Sequence, residues 1–181
     1  MEKDTMSYAI AHPVAARRGC VASGALRTLL LSLLMLVAQG VGADPVLADN
    51  ELQTAKDYHA QLVQLHAIAL TQLQAGQANG AAFTFAMEQT KSHYLSLRLA
   101  RVEGQNVDTF QRGLYSDGAA QQQAIAHADA AKQLAAALEG YFSTLVAQPT
   151  SQTDLAMADA AMASLSAQLV ELEQAMIDSQ Q

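Results

Sequence analysis

A spacing that alternates three and four residues, sustained three times along the chain, limits this sequence to helices packed on helices. Positions 52, 55, 59, 62, 66, 69 and 73 read Leu, Ala, His, Leu, His, Ala, Leu. Positions 124, 127, 131, 134, 138, 141 and 145 read Ala, His, Ala, Leu, Leu, Tyr, Leu, with Phe142 beside them. Positions 155, 158, 162, 165, 169, 172 and 176 read Leu, Ala, Met, Leu, Leu, Leu, Met. A mean repeat of about 3.5 is the seam of a helix in a left-handed bundle. At about 1.5 Å per residue, three seams of equal span imply helices of matched length. Ala, Leu and Gln dominate and Trp is absent, so strong helix formers abound and a sheet has little to build from. The expected fold is all-α, an antiparallel up-down-up-down four-helix bundle with helices over residues 50–75, 81–103, 118–147 and 151–178.

Caps and breakers set those limits. Asp49 or Asn50 is the expected cap of the first helix, with Gln53 three residues after Asn50, and Gly76 ends it. The second helix carries two apolar stripes, Phe83/Met87/Tyr94/Leu97 and, nearly opposite, Phe85/Leu95/Leu99/Val102. That pattern predicts a helix sandwiched on two sides or one that changes its buried face partway along. Residues 104–116 stay open between a kinked continuation of this helix and a short separate or irregular segment. Ser116-Asp117-Gly118 makes the next turn and cap. Pro149 stops the third helix, and Ser151 with Asp154 three residues on opens the fourth.

Ahead of the bundle lies a different signal. Residues 28–43 carry no charge, and the run LLLSLLMLV at 29–37 follows Arg17, Arg18 and Arg27. Val41-Gly42-Ala43 supplies small residues, so the pattern is a signal peptide, residues 1–43, cleaved before Asp44. A membrane anchor needs about 20 apolar residues, and Gln39, Gly40 and Gly42 dilute this run too early. The n-region is long and contains Glu2 and Asp4; a start at Val14 or Val21 would leave a shorter leader. Cys20, the only cysteine, lies upstream of the apolar run and leaves with it. The domain of residues 44–181 then has no thiol and no disulfide, which fits a bacterial periplasm or secretion better than a disulfide-dense extracellular module. In that domain six Lys/Arg stand against fifteen Asp/Glu, a net charge of −9. An acidic surface argues against nucleic acid and anionic membrane as partners, and no stable membrane anchor remains after cleavage.

The familiar catalytic and metal motifs are missing. There is no His-Glu-x-x-His, no Glu-x-x-His, no phosphate-binding glycine loop and no Gly-x-Ser-x-Gly. The expectation is therefore a non-enzyme without a cofactor, an accessory, chaperone-like or sensory bundle. It would work by contact with another exported or envelope protein, or by self-association. Three histidines, His59, His66 and His127, nevertheless occupy seam positions, where imidazoles need hydrogen-bond partners or a metal. One reading pairs them with Gln, Ser or Thr on neighbouring helices. The other makes them haem or copper ligands, His66 with Met162 or Met87, or His59 with His127. His59 and His66 are about 10.5 Å apart along the axis and cannot share one ion. If all three are buried neutral, an acid-responsive fold is a further reading, its stability falling as pH drops through about 6.5. Finally, Lys91, Tyr94, Arg98 and Arg101 line one side of the second helix. This stripe is either a partner or anion site or a row neutralised by carboxylates from adjacent helices.

Overall fold

The computed structural model describes residues 45–181; the expected signal peptide and Cys20 lie outside the described residues. Four helices follow one another: α1 (Pro45–Gln74), α2 (Ala78–Arg112), α3 (Gly118–Ala147) and α4 (Gln152–Ser179). No strand occurs among the described residues, and the fold is all-α. Cross-helix pairs run in opposite senses along successive helices. Glu51 meets Arg98 while His66 meets Glu88, and Glu103 meets Lys132 while His93 meets Glu139. Consecutive helices are thus antiparallel, as short connections require.

The caps explain where each helix stops. Gly76 and Gly113 adopt left-handed conformations (φ 72° and 61°). At both, the residue after the glycine donates its N–H five residues back, Gln77 to the Gln72 carbonyl and Leu114 to the Thr109 carbonyl. This is the Schellman closure that favours glycine over any residue with a Cβ. Asp117 caps α3 by accepting from the Ala119 and Ala120 N–H groups. Ser151 caps α4 by accepting from the Asp154 N–H, while the Ser151 hydroxyl donates to the Asp154 carboxylate.

Two boundaries differ from expectation. Helix α1 begins at Pro45, so Asp49 and Asn50 lie inside it and cap nothing. Proline is tolerated in a first turn, where its missing N–H has no partner to lose. Ala48 extends the seam backwards from Leu52 and is buried, so the extra turn adds to the core. Helix α2 continues without interruption through residues 104–112. Its seam there is polar: Asn106 and Thr109 are buried and bond back to the Val102 and Gln105 carbonyls. A search for apolar periodicity passes over such a segment.

The α4 seam is buried throughout, and the α1 and α3 seams form the core in part: His59, Leu73, His127, Leu134 and Tyr141 are half-buried, and on α3 Ala128, Ala135 and Phe142 are the fully buried residues beside them. All seven α4 positions from Leu155 to Met176 are buried. Over 18 residues α4 reaches a mean hydropathy of 1.2, long and apolar enough by composition to cross a membrane, and its seam is packed into the bundle. Phe85 and Phe142 stack at the centre, ring centroids 6.3 Å apart. Buried Ala124, Ala128, Ala131 and Ala135 form a narrow ridge on α3, and α3 packs closely along both α2 and α4. The α1–α4 seam is the widest of the four.

Candidate functional site

The buried row of α2 runs 81, 85, 88, 92, 95, 99, 102, 106 and 109, the same three–four spacing as the other helices. Its residues are Ala, Phe, Glu, Ser, Leu, Leu, Val, Asn and Thr. Polar groups therefore occupy seam positions, and Glu88 is fully buried among them. The opposite row, Phe83, Met87, Tyr94 and Leu97, faces solvent with exposures of 70%, 41%, 48% and 47%. Helix α2 is neither sandwiched nor face-switching among the described residues; it packs on one side and leaves an apolar stripe on the other.

Glu88 meets His66. The imidazole Nδ1 and the Glu88 carboxyl share a hydrogen bond of 2.9 Å. Phe85 and Phe142 flank the ring at centroid distances of 6.2 and 5.8 Å. On the far side, Nε2 is 3.1 Å from a carboxylate oxygen of Asp159 on α4, whose side chain is 58% exposed. That is ion-pair distance, and Nε2 is buried with no hydrogen-bond partner. The second Glu88 oxygen, Oε1, is likewise buried and unpartnered. Such groups in a low-dielectric core are costly unless something completes them.

The electrostatics follow from the geometry. Burial alone would lower the His66 pKa, but the Glu88 hydrogen bond and charge, with Asp159 behind them, outweigh it and raise it above the ordinary 6.5. Burial raises the Glu88 carboxyl above its ordinary range, and His66 opposes that rise. Burial lowers His59, with the nearby Met162 backbone opposing that shift, and its Nε2 is buried without a partner. His66 thus runs opposite to the direction expected of a histidine buried neutral in a seam.

The histidine and methionine candidates fall in three places. His59, His66 and Met162 line one groove of about 320 Å³ between α1 and α4, together with Asp159, Val63 and Leu70. Met87 is elsewhere, on the outward stripe, beside Phe83, Thr90 and Lys91. Met87 and Glu88 point about 100° apart around α2, and Glu88 is on the buried row, so Glu88, not Met87, faces His66. His127 pairs with Gln168 on α4 at 2.9 Å. Gln168 lies six residues, about 9 Å, beyond Met162, so His127 is held away from the turn of α4 that borders the His59 groove. Among the described residues no three His, Cys, Asp or Glu side chains converge as a metal-binding group.

The basic stripe is largely neutralised within the molecule. Glu51 on α1 binds both Arg98 (2.9 Å) and Arg101 (3.3 Å). Lys91 lies over the Tyr58 ring, 5.1 Å from its centroid, and Tyr58 stacks on Tyr94. Among the described residues Lys91 is the one Lys or Arg whose ammonium or guanidinium has no carboxylate within salt-bridge distance.

Glu88 and Asp159 are the residues that sequence reasoning missed. A signal for Glu88 was present: the three–four row from Ala81 to Val102 passes through it. Asp159 precedes Met162 by three residues and lies beside seam residue Ala158, so the antiparallel register that carries His66 to Met162 also brings it to Asp159. No protein-family model, no curated protein and no solved structure matches this chain.

Proposed function

We propose that the chain is an exported, non-enzymatic four-helix bundle that works by protein–protein contact through the outward stripe of α2. The observation that carries this reading is the exposed row Phe83, Met87, Tyr94 and Leu97. Its spacing of four, seven and three residues keeps it on one face for about 21 Å, long enough to receive a partner helix. Contiguous apolar surface of this kind marks an interaction site more often than isolated exposed side chains do. A shallow groove of about 260 Å³ lies within it, lined by Phe83, Ala86, Met87, Thr90 and Lys91.

Lys91 gives the partner a chemistry. It stands in the stripe without a carboxylate of its own, so an amphipathic helix that lays apolar residues at i, i+3/i+4 and i+7 and offers an acidic side chain to Lys91 fits best. Such a helix would belong to another exported or envelope protein. Export itself is supported by Arg17, Arg18 and Arg27 ahead of LLLSLLMLV and the small residues at 41–43. A mature N-terminus at Asp44, read by N-terminal sequencing of the protein from the envelope fraction, is the expected result.

Site-specific crosslinking in the native compartment tests the contact. A photoreactive residue at position 83 or 97 should give one discrete heterologous adduct, absent when the probe is at exposed Gln133 on α3. Met87→Glu should remove the adduct from position 83. A monomer with no adduct at either α2 position ends the proposal, and an adduct with a second copy replaces the heterologous partner by self-association.

A further inference from the structure

We propose that the Nε2 of His66 and the carboxylate of Asp159 are adjacent ligands of a late first-row divalent cation, copper(II) foremost, with Met162 beside them and Glu88 as the residue that positions the imidazole. The inference rests on the α1–α4 groove and does not depend on the contact reading of α2.

Four observations lead there. First, a buried carboxylate holding the Nδ1–H of a histidine fixes the ring and directs the other nitrogen outward, which is how metal-ligating histidines are commonly oriented. Glu88 does this to His66 at 2.9 Å. Second, Nε2 is buried, lacks a hydrogen bond and lies 3.1 Å from the Asp159 oxygen. Two ligands with bonds of about 2.1 Å to one ion are that far apart when they subtend about 95° at it. A short separation without a hydrogen bond is what two donors aimed at a third atom would show.

Third, two carboxylates enclose one imidazole, and the Glu88 Oε1 has no partner. Carboxylate oxygens on both sides of one imidazole give a cation at the groove acceptors to meet. Fourth, the groove of about 320 Å³ reaches solvent past exposed Asp159, giving an ion a way in and space for water ligands. Imidazole and carboxylate with a thioether nearby suit copper or zinc and not magnesium or calcium. His59 is excluded by its separation of about 10.5 Å along α1. With two strong protein ligands and water elsewhere, the site is an exchangeable one.

Calorimetric titration of the tag-free, chelator-treated protein in a Cys20→Ser background, with copper(II) and zinc(II) separately, tests this. One equivalent of copper(II) should bind, with a single nitrogen coupling in the electron paramagnetic resonance spectrum. Asp159→Asn, at an exposed position and expected to fold normally, should weaken binding at least tenfold. Glu88→Gln should weaken it by about 10- to 100-fold while keeping the stoichiometry and the nitrogen coupling. His66→Gln should remove that coupling. No binding of either ion, or copper binding unchanged by Asp159→Asn, overturns the proposal.

Discussion

The α2–α3 and α1–α4 seams follow the same three–four rule and yet have opposite characters. Between α2 and α3 the interior is closed: Phe85 stacks on Phe142, and Leu95, Leu99, Leu138 and Leu145 are fully buried. Its ion pairs, such as Lys132 with Glu103, sit at the rim. Between α1 and α4 the helices stand further apart, and two grooves open along the seam. One holds Lys56 and Glu173, paired at 2.8 Å; the other holds His59, His66, Asp159 and Met162. The spacing of apolar residues sets which face turns inward, and the size and polarity of those residues set how tightly the faces close. The two unpartnered histidine nitrogens, Nε2 of His59 and of His66, belong to the open side, while Glu88 and Ser92 on α2 carry the other unpartnered buried atoms.

The sharpest way to break that contrast is to open the closed side. Phe142→Ala removes a fully buried ring that touches both Phe85 and His66. It should cost about 3–5 kcal/mol, seen as a lower urea midpoint. A cost near 1 kcal/mol would mean that the aromatic centre collapses easily and that the two sides are more alike than their geometry implies.

Next in size is the polar pair that joins the two sides. Glu88→Leu leaves His66 Nδ1 buried without an acceptor and should destabilise the protein by about 1–3 kcal/mol. Adding His66→Leu should recover most of that loss, because apolar pairs of similar volume often replace buried ion pairs at little cost. A double variant as unstable as the single one would show that the pair specifies the packing around Phe85 and Phe142.

The two groove histidines sharpen the contrast through pH, in metal-free buffer. His66 has a raised folded pKa, so its contribution is fully present below the ordinary 6.5 and is lost as pH rises through the folded value. Glu88, raised by burial, has the same sign. His59 has a lowered folded pKa, so its contribution is present above 6.5 and is lost as pH falls through the folded value. Charged groups facing His66 are Glu88 from α2 and Asp159 from α4, while α3 offers it only the Phe142 ring. His66→Gln should flatten the alkaline side of the stability profile, and His59→Gln the acid side. Denaturant unfolding from pH 5 to 9 reads both, and parallel profiles for the two variants would contradict the assignment.

How much of this was visible in the sequence depends on what fills each seam. The α1, α3 and α4 rows were legible because Leu, Ala and Met fill most of their positions, and Gly76, Asp117 and Ser151 mark their ends by chemistry that operates locally. The α2 row was legible only in its apolar members Phe85, Leu95, Leu99 and Val102, because Glu88, Ser92, Asn106 and Thr109 hold its other seam positions. Its outward stripe, meanwhile, is as apolar as a core face. Hydrophobicity reports burial only on average, and on α2 the helix period alone would have found the buried row. Asp159 depended on something less accessible still, the exact stagger of α1 against α4. At His66 the choice between Met87 and Glu88 is set by which face of α2 turns inward.

The smallest expected effect on stability belongs to that outward stripe, and it separates fold from function most cleanly. Phe83 is 70% exposed, so Phe83→Glu removes little from the core and should change unfolding free energy by no more than about 0.5 kcal/mol. The same change places a charge inside the apolar stripe and should abolish the crosslink formed from position 97. A matched change on the open seam, Val63→Glu, also replaces an exposed apolar side chain and should leave that crosslink intact. Loss of the adduct in both variants would mean that charge anywhere on this acidic bundle repels the partner. Loss in Phe83→Glu alone would assign recognition to the α2 stripe.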